Sequence, residues 1–191
     1  MNYHFYAMLS RMKNIYRWGL MRNTKQENLS EHSLEVAFIA HALSIISNKK
    51  LGGNVNPEKT ALAAMFHDTS EIITGDMPTP IKYYNPEIKS VYKQIESVAE
   101  DKLLSYLPDY MKDEVEAVYK DIPQDSARLI KAADKISAYI KCLEELKMGN
   151  REFSVAAKST ERAIKEMNCP EAEIFMEDFI PSFNLSLDEQ N

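Results

Sequence analysis

Cysteine, glycine and long apolar runs are all scarce in this chain of 191 residues, and each scarcity excludes a class of protein. The two cysteines, Cys142 and Cys169, offer neither a disulfide framework nor a cysteine metal site, so we expect ordinary thiols in the reducing cytoplasm. Five glycines, and no alternating apolar and polar runs, argue against a β-rich fold. Because no stretch approaches the roughly 18 apolar residues of a membrane span, we expect no membrane partner.

Charge of one sign is not concentrated anywhere in the sequence. The chain has 23 Lys and Arg against 29 Asp and Glu, for a net charge of −6, and the two signs are interspersed. A protein that binds a nucleic-acid polymer needs a basic surface that neutralises many phosphates, so this composition argues against such a partner. A mononucleotide remains compatible with it, because one phosphate needs only one local positive site.

The apolar residues follow helical periodicity in most segments. They recur at spacings of three and four, and a chain of this length can bury a substantial core. We therefore expect an all-α fold, a compact helical bundle in which residues 1–191 form a single domain. The predicted helices cover residues 3–15, the stretch from a Ser30 cap to the break at Gly52, and residues 57–68, 86–107, 109–119, 124–148, 153–167 and 170–179.

An ionisable pair, His67-Asp68, directly follows the apolar run at residues 61–66. A buried imidazole beside a buried carboxylate is costly unless both are hydrogen-bonded or bind a cation, and a divalent metal accounts for both. Two further residues of the same ligand types lie on other predicted helices. His32 opens the second helix, and Asp134 interrupts the apolar face of the longest one. The sequence therefore predicts one metal site formed by these four residues.

The ligand interpretation has an ordinary alternative. A lone histidine on an apolar helix face is more often a hydrogen-bonded core residue, and a solvated helix end can carry the same residues. Glu71 follows His67 at helical spacing and favours a site. Two imidazoles and two carboxylates suit one divalent transition metal, such as Co²⁺, Mn²⁺ or Zn²⁺, better than Ca²⁺.

Together with several longer motifs, these residues resemble a known family. The order His32, His67-Asp68, Asp134 is similar to the signature of the HD-domain metal-dependent phosphohydrolases, an all-helical superfamily. Further motifs resemble the YfbR-like 5′-deoxynucleotidases within it: Arg17-Trp18, Ser30-Glu-His-Ser33, Phe66-His-Asp-Thr-Ser-Glu71, Gly75-Asp-Met-Pro-Thr-Pro-Ile-Lys82, Ala133-Asp134 and Tyr139-Ile-Lys-Cys-Leu-Glu144. The resemblance extends over nearly the whole chain.

The resemblance implies a metal-dependent 5′-deoxynucleotidase. Such an enzyme hydrolyses deoxyribonucleoside 5′-monophosphates to deoxynucleoside and phosphate, with little preference for the base and with selection against ribonucleotides. It also implies a homodimer, for which the sequence offers no independent argument.

The resemblance also implies roles for single residues. It implies that Arg17 binds the phosphate, whereas without the family Arg17 would be interpreted as an ordinary surface charge. It implies that Glu71 transfers protons, the alternative being that Glu71 only orients His67. Trp18 would press on the sugar and exclude a 2′-hydroxyl, the alternative being a packing residue. The substrate contacts implied are Arg17, Trp18, His32, Asp68, Asp76, Met77, Pro78, Thr79 and Asp134.

Other functions compete with this one. Another HD-type hydrolase could act on a nucleoside triphosphate, a cyclic nucleotide or an alarmone, and substrate profiling would separate it. A non-catalytic nucleotide or metal sensor could use the same pocket, but a pure binder needs no proton-transfer group such as Glu71. A purely structural helical protein would leave four coincident ligand-type residues unexplained.

Overall fold

The structure, a computed structural model, describes residues 2–78, 81 and 84–191. Apart from an isolated antiparallel bridge between Tyr16 and Asn28, these residues contain no β-structure, and the all-α prediction is confirmed. The α-helices are α1 (Phe5–Leu9), α2 (Leu29–Lys50), α3 (Pro57–Phe66), α4 (Glu71–Thr74), α5 (Pro86–Leu104), α6 (Asp109–Lys120), α7 (Gln124–Lys147), α8 (Ser154–Glu166) and α9 (Pro170–Asp178). Short 3-10 helices occupy Ser10–Asn14, Arg151–Phe153, Ile180–Asn184 and Leu187–Gln190.

Among the described residues, no helix combines the length and the apolarity that a membrane crossing requires.

The start of α2 differs from the prediction. The side-chain oxygen of Asn28 accepts hydrogen bonds from the backbone N–H groups of Ser30 and Glu31, at 3.0 and 3.1 Å. A carboxylate oxygen of Glu31 in turn accepts from the backbone N–H of Asn28 at 3.3 Å. Asn28 rather than Ser30 therefore caps α2, because its side chain satisfies the backbone N–H groups of the first turn that have no partner within the helix.

The predicted helix through Asp68 ends two residues early. After Phe66 the chain makes tight turns, in which the N–H of Thr69 donates to the carbonyl of Phe66 at 3.2 Å and the N–H of Glu71 donates to the carbonyl of Asp68 at 3.0 Å. A new short helix, α4, then begins at Glu71. His67 and Asp68 thus lie in a turn between two helices instead of on a continuous helix.

The described chain divides into two compact units. Unit 1 comprises Met1–Arg22, Gln26–Ser33 and Phe66–Asp121, and unit 2 comprises Asn23–Lys25, Leu34–Met65 and Ile122–Asn191. Unit 1 has a small core formed by Phe5, Leu103, Leu104 and Leu107, with Phe66, Ile72 and Tyr119 packed against it. That residues 1–191 form a single domain stays a prediction.

The larger core of unit 2 is organised around α7. Leu129, Ile136 and Ile140 of this helix are buried at the helical spacing that the sequence predicts, and they pack with residues of α2, α3, α8 and α9. Both thiols, Cys142 and Cys169, are free and buried, as expected.

A buried ion pair on α7 is hydrogen-bonded to the backbone of the irregular segment Asn23–Lys25 of unit 2. Glu145 and Lys141 pair one helical turn apart, and Lys141 also donates to the backbone carbonyl of Lys25. The Glu145 carboxylate accepts from the backbone N–H of Thr24 at 2.9 Å and from the side-chain amide of Asn150 at 2.8 Å. Burial raises the pKa of Glu145, but the hydrogen bonds from Lys141, Thr24 and Asn150 outweigh burial and leave the pKa far below its ordinary value.

We expect Glu145→Gln to lower the free energy of unfolding by about 3 kcal/mol, because Lys141 would then be a buried cation without its counter-charge. The folded-state pKa of Glu145 is depressed, so its contribution is present above the unfolded pKa of about 4.3 and is lost as the pH falls. The variant should therefore lose less stability than wild type between pH 5 and pH 3. Urea unfolding followed by circular dichroism measures both effects, with the exposed neighbour change Glu144→Gln as the control. Equal stability of the two variants would contradict the prediction.

Candidate metal centre

Two histidines and one aspartate converge in unit 1. Ligand atoms of His32, His67 and Asp68 all lie within 4.8 Å of one another. Nε2 of His67 lies 3.1 Å from Oδ2 of Asp68, and Nε2 of His32 lies 3.5 Å from the same oxygen. His32 is completely buried, and the other two are largely buried. The structure therefore brings together three of the four predicted ligands.

The Asp68 carboxylate is held in its ionised form. Besides the contacts with the two imidazoles, Nη1 of Arg17 donates to Oδ2 of Asp68 at 3.3 Å. Burial raises the pKa of Asp68, but His67 and His32 outweigh burial through charge and hydrogen bonding, so its pKa lies well below the ordinary value. An ionised carboxylate is the form that binds a cation.

The turn that carries His67 and Asp68 is fixed from two sides. The hydroxyl of Thr69 donates to the carbonyl of Phe66 at 2.8 Å and lies 2.9 Å from the hydroxyl of Tyr119 on α6. The rings of Phe66 and Tyr119 meet edge to face with 5.6 Å between their centroids. Hydrogen bonding and ring packing together thus fix the direction in which His67 and Asp68 leave the backbone.

The irregular segment before α2 folds back on itself. The N–H of Arg17 donates to the carbonyl of Glu27 at 3.0 Å, and the N–H of Leu29 donates to the carbonyl of Ile15 at 2.9 Å. This antiparallel pairing places Glu27 beside Arg17 and Trp18. Oε2 of Glu27 accepts from the indole N–H of Trp18 at 2.8 Å, while Oε1 lies 3.5 Å from Nδ1 of His32.

Glu27 is a residue of this site that the sequence analysis missed. Burial raises its pKa, but hydrogen bonds and charges from His32, Arg17 and Trp18 outweigh burial, and the net effect lowers the pKa. Glu27 lies in no regular helix and follows no helical spacing to the other site residues. The sequence shows only a carboxylate five residues before His32, and this spacing does not indicate that its side chain faces the histidine.

Glu71 and the loop after α4 lie in the same unit. Glu71 is buried at the first position of α4, with 2% of its surface exposed. Gly75 adopts a φ of 75°, which a side chain would strain, and its carbonyl accepts from the Tyr92 hydroxyl at 3.4 Å. Asp76, Met77 and Pro78 follow, half-buried, and Thr79 lies outside the described residues.

The fourth predicted ligand lies in unit 2. Asp134 is half-buried on α7, one residue after the buried Ala133. Its membership of the metal site stays a prediction.

The donor set of the cluster fits a divalent transition metal. Two imidazole nitrogens and a carboxylate oxygen form a mixed shell of borderline hardness, and catalytic zinc sites commonly use three protein ligands and leave a position open. The guanidinium of Arg17 beside the carboxylate adds a cation suited to a phosphate. Such an arrangement can bind a phosphate ester and hydrolyse it.

The fold matches those of solved HD-domain proteins. The chain matches an HD-domain phosphohydrolase of Listeria innocua with a TM-score of 0.82, over 98% of this chain and 91% of that one, at 21% identity. It matches the HD phosphohydrolase DatZ of cyanophage S-2L, solved with dA and one catalytic Zn²⁺, with a TM-score of 0.65 over 93% of this chain and 95% of that one, at 20% identity. The chain therefore has the fold of the HD-domain phosphohydrolases.

Sequence comparison narrows this class to a family. Residues 4–183 match the model described as 5′-deoxynucleotidase YfbR-like. The chain is 53% identical to a 5′-deoxynucleotidase of Vibrio vulnificus and 54% identical to one of Vibrio parahaemolyticus, each over 188 residues and 97% of both chains. The protein belongs to the YfbR-like 5′-deoxynucleotidase family, as its motifs predict.

We expect Asp68→Asn to lower metal affinity by more than about 100-fold, since the change removes both a ligand and the negative charge between the two histidines. Metal content after chelation and reloading with Co²⁺ measures the loss. Asp113→Asn, an exposed change on α6, is the control. Stoichiometric metal in the Asp68 variant would remove this carboxylate from the site.

Proposed function

We propose that this protein hydrolyses deoxyribonucleoside 5′-monophosphates to deoxynucleoside and inorganic phosphate, and that it needs a divalent metal to do so. The observation that carries the proposal is the buried cluster of His32, His67 and Asp68, with Arg17 against it, in a chain of the 5′-deoxynucleotidase family. The cluster supplies ligands for a metal, and Arg17 supplies a charge for a phosphate.

The proposed metal ligands are His32, His67, Asp68 and Asp134. A divalent metal bound there offsets charge on a phosphoryl oxygen and makes water more acidic. Co²⁺, Mn²⁺ and Zn²⁺ all suit two imidazoles and two carboxylates, and the Zn²⁺ in the structure of DatZ supports a transition metal.

Arg17 and Glu71 are the proposed catalytic residues. The planar fork of the Arg17 guanidinium can bind two phosphate oxygens at once, and its contact with Asp68 already points it at the cluster. Glu71 is buried, and its backbone N–H is bonded to the carbonyl of Asp68. A buried carboxylate so close to the ligands can orient the attacking water or protonate the leaving 5′ oxygen.

Trp18 and the loop after α4 are proposed to recognise the sugar. Trp18 follows Arg17 directly, so a phosphate on Arg17 leaves the sugar near the indole, where a 2′-hydroxyl would find no room. Asp76 is proposed to accept a hydrogen bond from the 3′-hydroxyl, with His32, Asp68, Met77, Pro78, Thr79 and Asp134 as further substrate contacts. The dA in the structure of DatZ supports a deoxyribonucleoside substrate.

The setting of the enzyme is also a proposal. The family resemblance supports a homodimer, and two free buried cysteines support the reducing cytoplasm. The interspersed charges support a small substrate rather than a nucleic-acid polymer. Another HD-type hydrolase activity, on a triphosphate or a cyclic nucleotide, is the competing candidate.

The test of the proposed function is phosphate release from dAMP, AMP and dATP after chelation, and again after Co²⁺, Mn²⁺, Zn²⁺ or Mg²⁺ is restored. We expect release from dAMP only, and only with metal, because AMP carries the 2′-hydroxyl and dATP carries extra phosphates beyond Arg17. Protein with Asp68→Asn serves as the metal-free control. Release from dATP in preference to dAMP, or none from dAMP with metal bound, would refute the proposal.

We expect Trp18→Ala to narrow the preference for dAMP over AMP by about ten-fold, because the side chain proposed to exclude the 2′-hydroxyl is gone. Values of kcat/KM for both substrates measure the ratio. Trp18→Phe, which keeps an aromatic ring, should retain more of the preference. An unchanged ratio in Trp18→Ala would make Trp18 a packing residue.

A further inference from the structure

We propose that Glu27 is a positioning residue whose single carboxylate fixes both the metal ligand His32 and the sugar-side residue Trp18. The inference rests on the proposed function for the role of Trp18. Glu27 lies in the turn region before α2, with 11% of its side chain exposed. Metal binding and sugar selection would then depend on the same side chain.

The first half of the argument concerns the tautomer of His32. Oε1 of Glu27 lies 3.5 Å from Nδ1 of His32, and a carboxylate can only accept hydrogen bonds. The favoured neutral tautomer therefore carries its proton on Nδ1 and leaves the lone pair of Nε2 toward Oδ2 of Asp68, where the metal ligands converge.

The second half concerns the backbone of Trp18. Trp18 has a φ of 60°, in the left-handed region that a bulky residue rarely adopts because it strains the backbone. The hydrogen bond from its indole nitrogen to Oε2 of Glu27 is short, at 2.8 Å, and involves a charged acceptor. This bond offsets part of the strain and sets the direction of the ring.

Arg17 closes a ring of contacts around the two carboxylates. Its Nε lies 3.5 Å from Oε2 of Glu27, and its Nη1 donates to Oδ2 of Asp68. His32 contacts the same two carboxylates through its two nitrogens. Glu27 and Asp68 thus alternate with Arg17 and His32, and removal of Glu27 would disturb the metal ligand and the phosphate-side cation together.

The distinguishing variant is Glu27→Gln, which keeps the shape of the side chain and removes one acceptor. The amide oxygen can face Trp18 or His32 but not both. If the NH₂ group faces Nδ1 of His32, it requires the tautomer with the proton on Nε2, which is the wrong one for a metal ligand. We expect a 10- to 100-fold loss of Co²⁺ affinity, about the cost typical of partners that orient metal-binding histidines.

Trp18 gives a readout that needs no activity. It is the single tryptophan of the chain, so fluorescence of the chelated protein reports on this ring alone when it is excited at wavelengths that the ten tyrosines do not absorb. We expect Glu27→Gln to shift the emission and to increase quenching by acrylamide, because the ring is no longer fixed through its N–H. The ratio of kcat/KM for dAMP and AMP should fall in the same variant.

Glu31→Gln is the matched control. Glu31 lies four residues further on, and its carboxylate bonds the backbone N–H of Asn28, so the change loosens the same segment and leaves the Glu27 contacts in place. Co²⁺ affinity and quenching that change in Glu27→Gln but not in Glu31→Gln support the proposal. Wild-type values in Glu27→Gln, or equal changes in both variants, overturn it.

Two further variants keep the proposal open to refutation. If Glu27→Gln does not fold, Glu27→Asp keeps the charge on a shorter stem and is expected to show the same losses of affinity and ring order. In a Trp18→Phe background, Glu27→Gln should still lower Co²⁺ affinity but no longer change the sugar preference, and any other result contradicts the double role. Co²⁺ affinity and fluorescence need no substrate, so they decide about Glu27 even if hydrolysis of dAMP fails.

Discussion

The constraint on which the site depends is the charge of Asp68, a largely buried carboxylate that must remain ionised. A buried anion is tolerated only when cations or donors surround it, and Oδ2 of Asp68 is approached by Arg17, His32 and His67. These three residues come from an irregular segment, a helix and a turn. The capped start of α2, the turn after Phe66 and the antiparallel pairing at Tyr16 together bring a guanidinium and two imidazoles to one oxygen atom.

Much of this arrangement is readable from the sequence, because it leaves local signals. Apolar spacing predicts the C-terminal end of α7 to within one residue, at Met148 instead of Lys147, because the helical pattern continues from Gln124 until Gly149 interrupts it. The pair His67-Asp68 stands out because ionisable residues directly follow an apolar run. Matching ligand types predict that this pair meets His32, and in the structure ligand atoms of the three residues lie within 4.8 Å of one another.

The features that escaped prediction depend on contacts distant in sequence or on competition between neighbouring residues. Glu27 reaches the site because the backbone pairs at Tyr16 and Asn28, and no periodicity encodes an isolated bridge. Ser30 and Asn28 are both good capping residues, and only the path of the chain decides between them. The helix that ends at Phe66 could have continued, since the residues that follow it contain neither glycine nor proline, but the bond between Thr69 and Tyr119 favours a turn.

The irregular segment before α2 combines a strained backbone at Trp18 with the ion pair of Arg17 and Glu27. Trp18 occupies a backbone region that a bulky residue avoids, while Arg17 and Glu27 hold opposite charges beside it. A glycine at position 18 would relieve the strain, but it would remove the ring and the bond to Glu27. The strained backbone of Trp18 is consistent with a role for the direction of its ring, and the hydrogen bond to a charged acceptor at 2.8 Å offsets part of the cost of that strain. Under the proposed function, selection at the sugar and geometry at the metal would share one source of stability, the Glu27 carboxylate.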